Sequence, residues 1–480
     1  MQALKPISRL VSCTLLSALT SFFSASALAQ ALPPAVQMAL NRAQVPPDAI
    51  TVLVQEADGR TAPRLSHRAD QAMNPASVMK LVTTRAALDL LGPAYTWRTP
   101  VWVDGPVVNG VLQGNVIIQG QGDPKLVLEK LWLLLRHLQG LGMHTIAGDI
   151  VLDNRAFEVP ATDAAEFDGE PLRPYNATPE ALLINFKSVV MTFTPDPPAN
   201  LARVQFDPPL WGVQLQTSVP LSRAKTGGSA SCGNYRAVLE ADFSSPLRIR
   251  FDGSYAASCG EKTWPIAYAD PANYNARAIE GLWRSMGGQL KGSVRPGTAP
   301  PGPATFELTS PTLAEVIHDI NKFSNNVMAQ QVFLTLGLPA PATAESARAA
   351  VRQWWQSRIS ATDVPTIDNG SGLSRHNRIS ARQLGRLLLV SYASSTMPEL
   401  MSSLPLVGVD GTLKRSQASS ASAHLKTGSL KEVTALAGYV HATSGKRYVL
   451  VAIVNHPNAN AARPALDALI DWAVMDNQAP

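Results

Sequence analysis

The stretch "MNPASVMKLVTTRAALDLLG", residues 73–92, has the pattern of a single helix. Pro75 suits the first turn of a helix, where its missing N–H costs nothing. Gly92 and Pro93 would end the helix. The apolar residues that recur between them at helical spacing are Val78, Met79, Val82, Ala86, Leu90 and Leu91. The sequence therefore predicts a helix that begins near Pro75.

Ser77 and Lys80 stand three residues apart at the start of this predicted helix. Residues three apart on a helix share a face, so the Lys80 ammonium can reach the Ser77 hydroxyl. The helix N-terminus adds positive potential and free N–H groups around Ser77. A lysine in apolar surroundings loses its charge more readily and can then act as a base. The S-x-x-K pair thus predicts a serine nucleophile that is activated without a histidine.

A second S-x-x-K pair, Ser222 with Lys225, lies in the stretch "SRAKTGG". The spacing alone is a weak signal, because roughly one chance occurrence is expected in a chain of this length. This pair lies in a Gly/Ser-rich stretch with no helical pattern behind Ser222. Lys225 would also have to serve both as the base and as the lysine of a K-T-G motif. We interpret the stretch as a loop.

Downstream, "DINKFSNNVMAQQVFL" (residues 319–334) contains Ser324-Asn325-Asn326, an S-x-N motif of the kind that accompanies S-x-x-K in serine acyl-transferases. It leads into an apolar helical pattern that includes Val327 and Phe333. The alternative explanation is a helix cap, because Ser and Asn are favoured at that position. The motif on its own leaves both explanations open.

The third motif is Lys426-Thr427-Gly428-Ser429, just before two β patterns at residues 435–442 and 447–455. The patterns are separated by Thr443-Ser444-Gly445-Lys446, which predicts a hairpin turn. A K-T-G on an edge strand can line a cleft, and Gly428 would let a substrate backbone approach closely. The alternative is a solvated turn. Three motifs in the required order make a chance coincidence improbable.

With these motifs and four longer blocks, the chain resembles the D-Ala-D-Ala carboxypeptidase/endopeptidases, which are low-molecular-mass class C penicillin-binding proteins. The resemblance extends over most of the chain after residue 29. The similar blocks are "IIQGQGDPKL" (117–126), "FDGEPLRPYNATPEALLINF" (167–186), "IDNGSGLSRHNRIS" (367–380) and "SLPLVGVDGTLKR" (403–415).

The resemblance implies an acyl-enzyme mechanism on peptidoglycan stem peptides, with no cofactor. Ser77 would attack the D-Ala-D-Ala carbonyl and Lys80 would take its proton. Ser324 and Asn326 would relay protons and orient the substrate amide. Water would release the acyl group, with either Lys80 or Lys426 acting through Ser324 as the base. β-Lactams imitate the dipeptide and would leave Ser77 stably acylated. The resemblance implies removal of terminal D-Ala, cleavage of cross-bridges, or both.

The resemblance also implies how the substrate is held. Lys426 and Thr427 would bind the terminal carboxylate. The backbone N–H groups of Ser77 and Ser429 would form the oxyanion hole, which is often the largest single contribution to such catalysis.

Two further residues, Arg375 and Asp168, resemble the pair that binds the charged end of a diaminopimelate side chain. That end carries an ammonium and a carboxylate, so one acid and one arginine suit it. The alternative for Arg375 is a structural contact within its loop.

We expect an α/β protein of the α+β type, with a penicillin-binding transpeptidase/β-lactamase-like domain of helices on an antiparallel sheet. Residues 30–97 and 307–480 would form this discontinuous catalytic domain, with a final helix at 461–474. Residues 98–306 would form a large, mainly β insertion of two subdomains. Its helical run at 125–142 carries charges that favour a packed amphipathic helix over a membrane segment.

Residues 1–29 have the pattern of a secretory signal peptide. Lys5 and Arg9 precede an apolar stretch at residues 10–23, and Ala27-Leu28-Ala29 gives a small-x-small cleavage site. A membrane anchor is the alternative, but the apolar run is short and rich in serine. We therefore expect an exported, periplasmic protein.

Export affects the interpretation of the cysteines, because an oxidising compartment favours disulfides. Cys13 would leave with the signal peptide, so Cys232 and Cys259 are predicted to form a disulfide that closes a local loop. Two buried free thiols are the alternative. No metal site is predicted, since the 8 histidines are dispersed and show no H-x-x-x-H spacing.

The charge balance points away from nucleic acid. The 480 residues include 41 Lys and Arg against 36 Asp and Glu, and the small excess is scattered rather than gathered into a basic run. The resemblance, rather than the composition, implies peptidoglycan stem peptides as substrates and β-lactams as covalent inhibitors. A loose association with the membrane or the cell wall is left open.

Two other functions share these motifs. A serine β-lactamase would deacylate faster, but class A enzymes use a dedicated glutamate for that step and no such motif is evident. The large insertion also argues against it. A catalytically silent wall-binding protein of the same fold is the second alternative, and the intact motif residues count against it.

Overall fold

In a computed structural model, the protein is described at residue 2 and over residues 31–222, 231–339 and 341–476. Apart from residue 2, the predicted signal peptide, with Cys13, lies outside the described residues, as does Lys225. Among the described helices, none combines the length and the apolar character needed to cross a bilayer.

The secondary structure alternates helices with short strands. The α-helices are α1 (Pro34–Arg42), α2 (Lys80–Leu90), α3 (Leu128–Gly140), α4 (Tyr235–Val238), α5 (Tyr274–Ser285), α6 (Leu313–Phe323), α7 (Asn326–Thr335), α8 (Ala344–Arg358), α9 (Ala381–Tyr392), α10 (Met397–Ser403) and α11 (Arg463–Val474). The strands are β1 (Ile50–Glu56), β2 (Leu65–His67), β3 (Ala72–Met73), β4 (Arg98–Asp104), β5 (Val107–Val108), β6 (Val111–Leu112), β7 (Asn115–Gln119), β8 (Thr145–Ile146), β9 (Ile150–Asp153), β10 (Ser188–Asp196), β11 (Leu201–Asp207), β12 (Gln214–Leu215), β13 (Ser218–Pro220), β14 (Ala241–Asp242), β15 (Arg248–Phe251), β16 (Lys262–Ala267), β17 (Gln289–Leu290), β18 (Val294–Pro296), β19 (Phe306–Thr309), β20 (Ile379–Ser380), β21 (Ala423–Leu430), β22 (Val433–His441) and β23 (Arg447–Asn455).

A five-stranded antiparallel sheet joins the two ends of the chain. Its strand order is β2-β1-β23-β22-β21. Strand β1 pairs with β23 along its whole length, from Ile50 opposite Val454 to Glu56 opposite Tyr448. The sheet therefore cannot form from either end of the sequence alone.

Helices cover both faces of this sheet, which explains the nearly continuous apolar runs in β22 and β23. Side chains on alternate strand positions point to opposite faces. Thus Val449 and Val451 pack in the core of α2, α6, α7, α8 and α9, whereas Leu450 and Ala452 pack against α1 and α11. The α+β class with helices on an antiparallel sheet, predicted from the sequence, is confirmed. So is the final helix, which begins at Arg463 and is preceded by a 3-10 turn, Ala459–Ala462.

A separate hydrophobic core lies in the middle of the chain. Its buried residues run from Val101 to Leu290 and come from several small sheets together with α3 and α5. Helix α3 buries Leu131, Leu134 and Leu138 in it, as expected for a packed amphipathic helix. Strand β19 pairs with β4, so this middle part extends to Thr309, slightly past the predicted boundary. We propose residues 98–309 as the insertion.

The two remaining cysteines lie in this middle part. Cys232 and Cys259 form the predicted disulfide, with a Cα–Cα distance of 4.7 Å and a sequence separation of 27. Cys259 is buried in the second core. The bond therefore closes a loop within the β-rich insertion, away from the five-stranded sheet.

Candidate active site

Ser77 lies on a 3-10 turn, Ala76–Met79, that leads directly into α2. The turn is tied down by Asn74, whose Oδ1 accepts a hydrogen bond from the Ala76 N–H at 2.9 Å. Lys80 follows as the first residue of α2, and its Nζ lies 3.0 Å from Ser77 Oγ. The predicted contact between these two residues is therefore present, although Ser77 precedes the α-helix proper.

Lys80 is completely buried and has two further partners. Its Nζ donates to Asn326 Oδ1 at 2.6 Å and to the carbonyl oxygen of Ser371 at 2.6 Å. Burial, reinforced by the charge of Lys426, holds the pKa of Lys80 well below its usual value. Two carbonyl acceptors can take the two N–H bonds of a neutral amine, which leaves its lone pair free for the Ser77 hydroxyl proton.

The S-x-N motif lies at the junction of α6 and α7. Ser324 ends α6 in the left-handed conformation, with φ of 58°. Asn325 caps α7 by accepting a hydrogen bond from Met328 N at 3.0 Å. The cap explanation thus applies to Asn325, and the motif residues on either side of it, Ser324 and Asn326, bond to the two buried lysines.

Lys426 lies on β21 and is completely buried. Its Nζ donates to Ser324 Oγ at 2.9 Å and to the carbonyl oxygen of Thr427 at 2.7 Å. Desolvation lowers the pKa of Lys426 to about 7. Near neutral pH this amine can therefore exchange a proton with the Ser324 hydroxyl.

Strand β21 is the edge of the five-stranded sheet, as predicted for the K-T-G motif. The free side of its first half is covered by residues 405–407, which bond to Ala423 and Leu425. The Thr427 hydroxyl shares a hydrogen bond with that of Thr412 at 2.7 Å. At the other end of the strand, Ser429 and Leu430 line a cleft that also contains Ser77 and Ser324.

Gly428 is where β21 approaches the turn that carries Ser77. A Cβ atom at this position would lie 2.4 Å from the carbonyl oxygen of Pro75 and 3.2 Å from the Ser77 nitrogen. Only glycine fits such a contact without a shift of the backbone. The contact brings the Gly428–Ser429 backbone alongside the Ser77 N–H, where two N–H donors can serve one oxyanion.

A cleft of about 1020 Å³ opens above these motifs. It is lined by Ser77, Ser324, Asn326, Phe167, Asp168, Tyr175, Arg375, Ser429, Lys431, Asn460 and Arg463, among others. The two residues assigned to diaminopimelate thus share one cleft with the S-x-x-K serine. Ser222 is not among the described residues that line it.

Asp168 is held in place by three donors. Its carboxylate accepts from the Tyr175 hydroxyl at 2.9 Å, from Asn176 Nδ2 at 2.8 Å and from the Glu170 N–H. Burial by itself would raise the pKa of Asp168, but these donors outweigh it and lower the pKa. Asp168 therefore offers a fixed negative charge to the cleft.

Arg375 lines the same cleft and contacts Phe167, the residue before Asp168. Its guanidinium stands over the Phe167 ring at 5.1 Å and donates from Nη1 to the carbonyl oxygen of Lys431 at 3.1 Å. These contacts leave most of its donors free to bind an anion. The contact with the Phe167 ring also suits a structural role for Arg375 within its loop. The geometry therefore supports both explanations given for Arg375, the binding of diaminopimelate and the structural contact.

Ser222 occupies a different environment. Its hydroxyl is hydrogen-bonded to that of Ser254 at 2.7 Å, in the β-rich insertion. Among the described residues, no group of three or more His, Cys, Asp or Glu side chains is arranged to hold a metal ion.

Sequence reasoning missed several supporting residues. Ser371 was part of a recognised block, but nothing in its spacing indicated that its carbonyl would contact Lys80. Asn74 precedes Pro75, where an Asn is a common turn residue with no special signal. Thr412 and Asn460 lie in segments whose proximity to β21 depends on the fold.

Comparison with known proteins gives a consistent result. Residues 33–475 match the D-Ala-D-Ala carboxypeptidase 3 (S13) family. The chain is 25% identical over 393 residues to a D-alanyl-D-alanine carboxypeptidase DacB from Haemophilus influenzae, covering 80% of each chain. It is 27% identical over 438 residues to a D-alanyl-D-alanine carboxypeptidase from Actinomadura sp. R39, covering 87% of this chain and 79% of the relative. The crystal structure of penicillin binding protein 4 from Haemophilus influenzae superposes with a TM-score of 0.69 at 23% identity, covering 91% of this chain and 99% of that one.

Proposed function

The chain belongs to the D-Ala-D-Ala carboxypeptidase 3 (S13) family and is a serine-type hydrolase, and from this premise we propose that it cleaves D-Ala-D-Ala bonds of peptidoglycan stem peptides. The reaction passes through an acyl-enzyme on Ser77. One observation carries the proposal: two buried lysines, Lys80 and Lys426, each bond to a serine hydroxyl in one cleft.

Acylation begins with proton transfer from Ser77 to neutral Lys80. The two carbonyl acceptors of Lys80 direct its lone pair toward Ser77 Oγ, which attacks the carbonyl carbon of the penultimate D-Ala. The negative oxygen of the tetrahedral intermediate accepts from the N–H groups of Ser77 and Ser429. When the C–N bond breaks, the Ser324 hydroxyl protonates the departing D-Ala amine.

Ser324 then regains its proton from Lys426, whose lowered pKa suits transfer near neutral pH. The positive form of Lys426, with the Thr427 hydroxyl, attracts the terminal carboxylate of the substrate. Gly428 keeps the strand close enough for the substrate backbone to lie along the open half of β21. Asn326 orients the scissile amide from the opposite wall.

Asp168 and Arg375 then select the third residue of the stem peptide. The fixed carboxylate of Asp168 suits the ammonium of a diaminopimelate side chain, and Arg375 suits the neighbouring carboxylate. Both line the same cleft as Ser77, as this assignment requires.

Deacylation requires a base for the attacking water. Lys426, left neutral once it has reprotonated Ser324, can take a proton through Ser324. Lys80 can take one directly once it has released the proton that it accepted from Ser77. A β-lactam opened by Ser77 would keep the acyl carbonyl in the same oxyanion site, so slow hydrolysis gives a stable adduct. We assign the protein to the periplasm, where stem peptides occur and where the predicted signal peptide would deliver it.

The same cleft can serve cross-bridge cleavage as well as removal of terminal D-Ala. Its volume of about 1020 Å³ exceeds what a dipeptide end needs. In an endopeptidase reaction the departing amine belongs to a second stem peptide instead of D-Ala. The chemistry at Ser77 is otherwise unchanged.

The test is hydrolysis of a diaminopimelate pentapeptide and of a cross-linked muropeptide dimer. Ser77→Ala should abolish product release, whereas Ser222→Ala should retain wild-type rates. Labelling by a fluorescent penicillin should persist for hours, which a β-lactamase would not allow and a silent protein would not show. Activity in Ser77→Ala would contradict the proposal.

A further inference from the structure

The cleft has a cationic end that the chemistry at Ser77 does not use. Charged side chains on its wall are Asp168, Arg375, Lys431 and Arg463. Asp168 and Arg375 are assigned to the third residue of the stem peptide. Lys431 and Arg463 are exposed, and no acidic partner within ion-pair distance is recorded for either among the described residues. Two cations thus remain at the end of the cleft that continues past Ser429.

Arg463 is held toward the cleft by its neighbour one turn earlier. Asn460 Oδ1 accepts from the Ser429 hydroxyl at 3.4 Å and from the Thr434 hydroxyl at 3.3 Å. Asn460 belongs to the 3-10 turn that precedes α11, and residues three apart on such a turn are eclipsed. Anchoring Asn460 on β21 and β22 therefore also fixes the side of the helix from which Arg463 projects.

The position of Arg463 is unfavourable for the helix. It is the first residue of α11, where the positive end of the helix dipole repels a cation. Its natural partner one turn on, Asp467, instead accepts from the Ser416 hydroxyl at 2.7 Å. Residues that break a local rule without a local compensation are often functional.

The direction of the bound peptide determines which of its residues reaches this end of the cleft. In the proposed function the terminal carboxylate binds at Thr427 and the reacting carbonyl at Ser429, so the upstream residues would continue along β21 toward Lys431. An extended chain advances about 3.3 Å per residue. The residue two positions before the D-Ala-D-Ala pair therefore reaches the end of β21, beside Arg463 and Lys431.

We propose that Arg463, assisted by Lys431, binds a free carboxylate of the stem peptide upstream of the diaminopimelate residue. The fitting group is the α-carboxylate of a γ-linked D-glutamate, since the γ-linkage leaves that carboxylate unblocked. Arg463 is then a binding residue that distinguishes stem peptides with this carboxylate from those in which it is amidated. The inference rests on the proposed function and deepens it.

The experiment uses two synthetic pentapeptides that differ only in the α-carboxylate or α-carboxamide of the γ-linked D-glutamate. We expect the wild type to prefer the carboxylate about tenfold in kcat/KM, mainly through KM, because a charge-assisted hydrogen bond is worth about that factor. In Arg463→Gln the two peptides should become equivalent. Arg463→Lys should keep part of the preference, and added salt should weaken it in the wild type.

Arg352→Gln is the matched control, because Arg352 is an exposed arginine on α8 outside the cleft. It should keep the wild-type preference. The melting temperature of Arg463→Gln should be unchanged or higher, since a cation leaves the positive end of α11; a lower value would indicate a structural role and count against the inference.

The two proposals can fail separately. If both peptides release D-Ala at equal kcat/KM in the wild type, or if Arg463→Gln keeps the preference, the role of Arg463 is overturned while the proposed function stands. If neither peptide is hydrolysed, the proposed function fails and the inference fails with it.

Discussion

The Nζ atom of Lys80 lies 2.6 Å from Oδ1 of Asn326, so the lysine of the first motif is oriented by the asparagine of the second. The carbonyl oxygen of Ser371 takes another N–H of the same amine. Because the residues that carry both acceptors, Asn326 and Ser371, are buried, the lone pair of a neutral Lys80 has only Ser77 Oγ to face. This relationship makes Lys80 a directed base and leads to the first prediction.

Lys80→Arg should slow acylation strongly. An arginine keeps its charge at any working pH, so it cannot take the Ser77 proton. We expect penicillin acylation to slow by a factor of about 10³, within the usual range for loss of a general base. The rate of labelling by a fluorescent penicillin measures this. Lys125 forms an ion pair with Asp319 outside the catalytic network. Lys125→Arg is therefore the control and should be labelled at the wild-type rate.

The buried lysines should also make stability depend on pH. The pKa of Lys426 is about 7 in the folded protein and near 10.5 when unfolded, so the unfolded state binds more protons between these values. The free energy of unfolding should therefore rise with pH from about 7 to 10.5, by at most about 1.4 kcal/mol per pH unit for one such group.

Lys426→Met should reduce that slope, because it removes one of the titrating groups. Thermal unfolding between pH 7 and pH 9.5 measures it. Lys291→Met, at an exposed lysine of the insertion, should leave the slope unchanged. Equal slopes in wild type and Lys426→Met would show that Lys426 is protonated in the folded state throughout this range.

Gly428→Ala should disrupt the junction between β21 and the Ser77 turn. The new Cβ would stand 2.4 Å from the carbonyl oxygen of Pro75, and this atom belongs to the backbone and cannot rotate away. We expect a loss of about 1–3 kcal/mol in unfolding free energy and a large loss of acylation rate. Gly140→Ala, where nothing lies within 4 Å of the new Cβ, should be harmless. Normal acylation in Gly428→Ala would refute the close approach.

Arg375→Gln should affect diaminopimelate substrates selectively. The side chain of diaminopimelate ends in an ammonium and a carboxylate, whereas that of L-lysine ends in an ammonium alone. Loss of the guanidinium should lower kcat/KM about tenfold for the diaminopimelate pentapeptide and little for the lysine peptide. Hydrolysis assays on the two peptides compare them. A uniform loss on both would instead support the loop contact with Phe167.

Removal of the disulfide should lower stability without removing activity. The bond joins residues 27 apart in sequence, for which loop-closure entropy predicts about 3.5 kcal/mol. The double variant Cys232→Ser/Cys259→Ser should therefore melt earlier, as followed by circular dichroism. Because the cysteines lie in the insertion, D-Ala release at 25 °C should remain near the wild-type rate. Loss of activity in a still-folded variant would show that the insertion shapes the cleft through this loop.

Much of the site was accessible from local spacing. Ser77 and Lys80 are three residues apart on a helical turn, so their contact depends only on helix geometry. The β pattern after Lys426 likewise predicted that the K-T-G motif lies on a strand. Gly428 was predicted to admit the substrate backbone, and the structure shows that it also permits the close approach of the Pro75 carbonyl. The order of the motifs and the resemblance of the longer blocks then predicted the fold class, which the sheet and its covering helices confirm.

Contacts between distant segments were beyond the reach of such patterns. Lys426 contacts Ser324, and Ser371 contacts Lys80, only because the chain closes its sheet by pairing β1 with β23. The orientation of Arg463 by Asn460 depends on the same closure. The low pKa values of Lys80 and Lys426 have the same origin, since desolvation depends on everything packed around an amine. Local spacing thus specified which side chains could share a face of one element. The tertiary packing determined which elements are in contact and how far their side chains are desolvated. It therefore also determined which of these groups can exchange a proton.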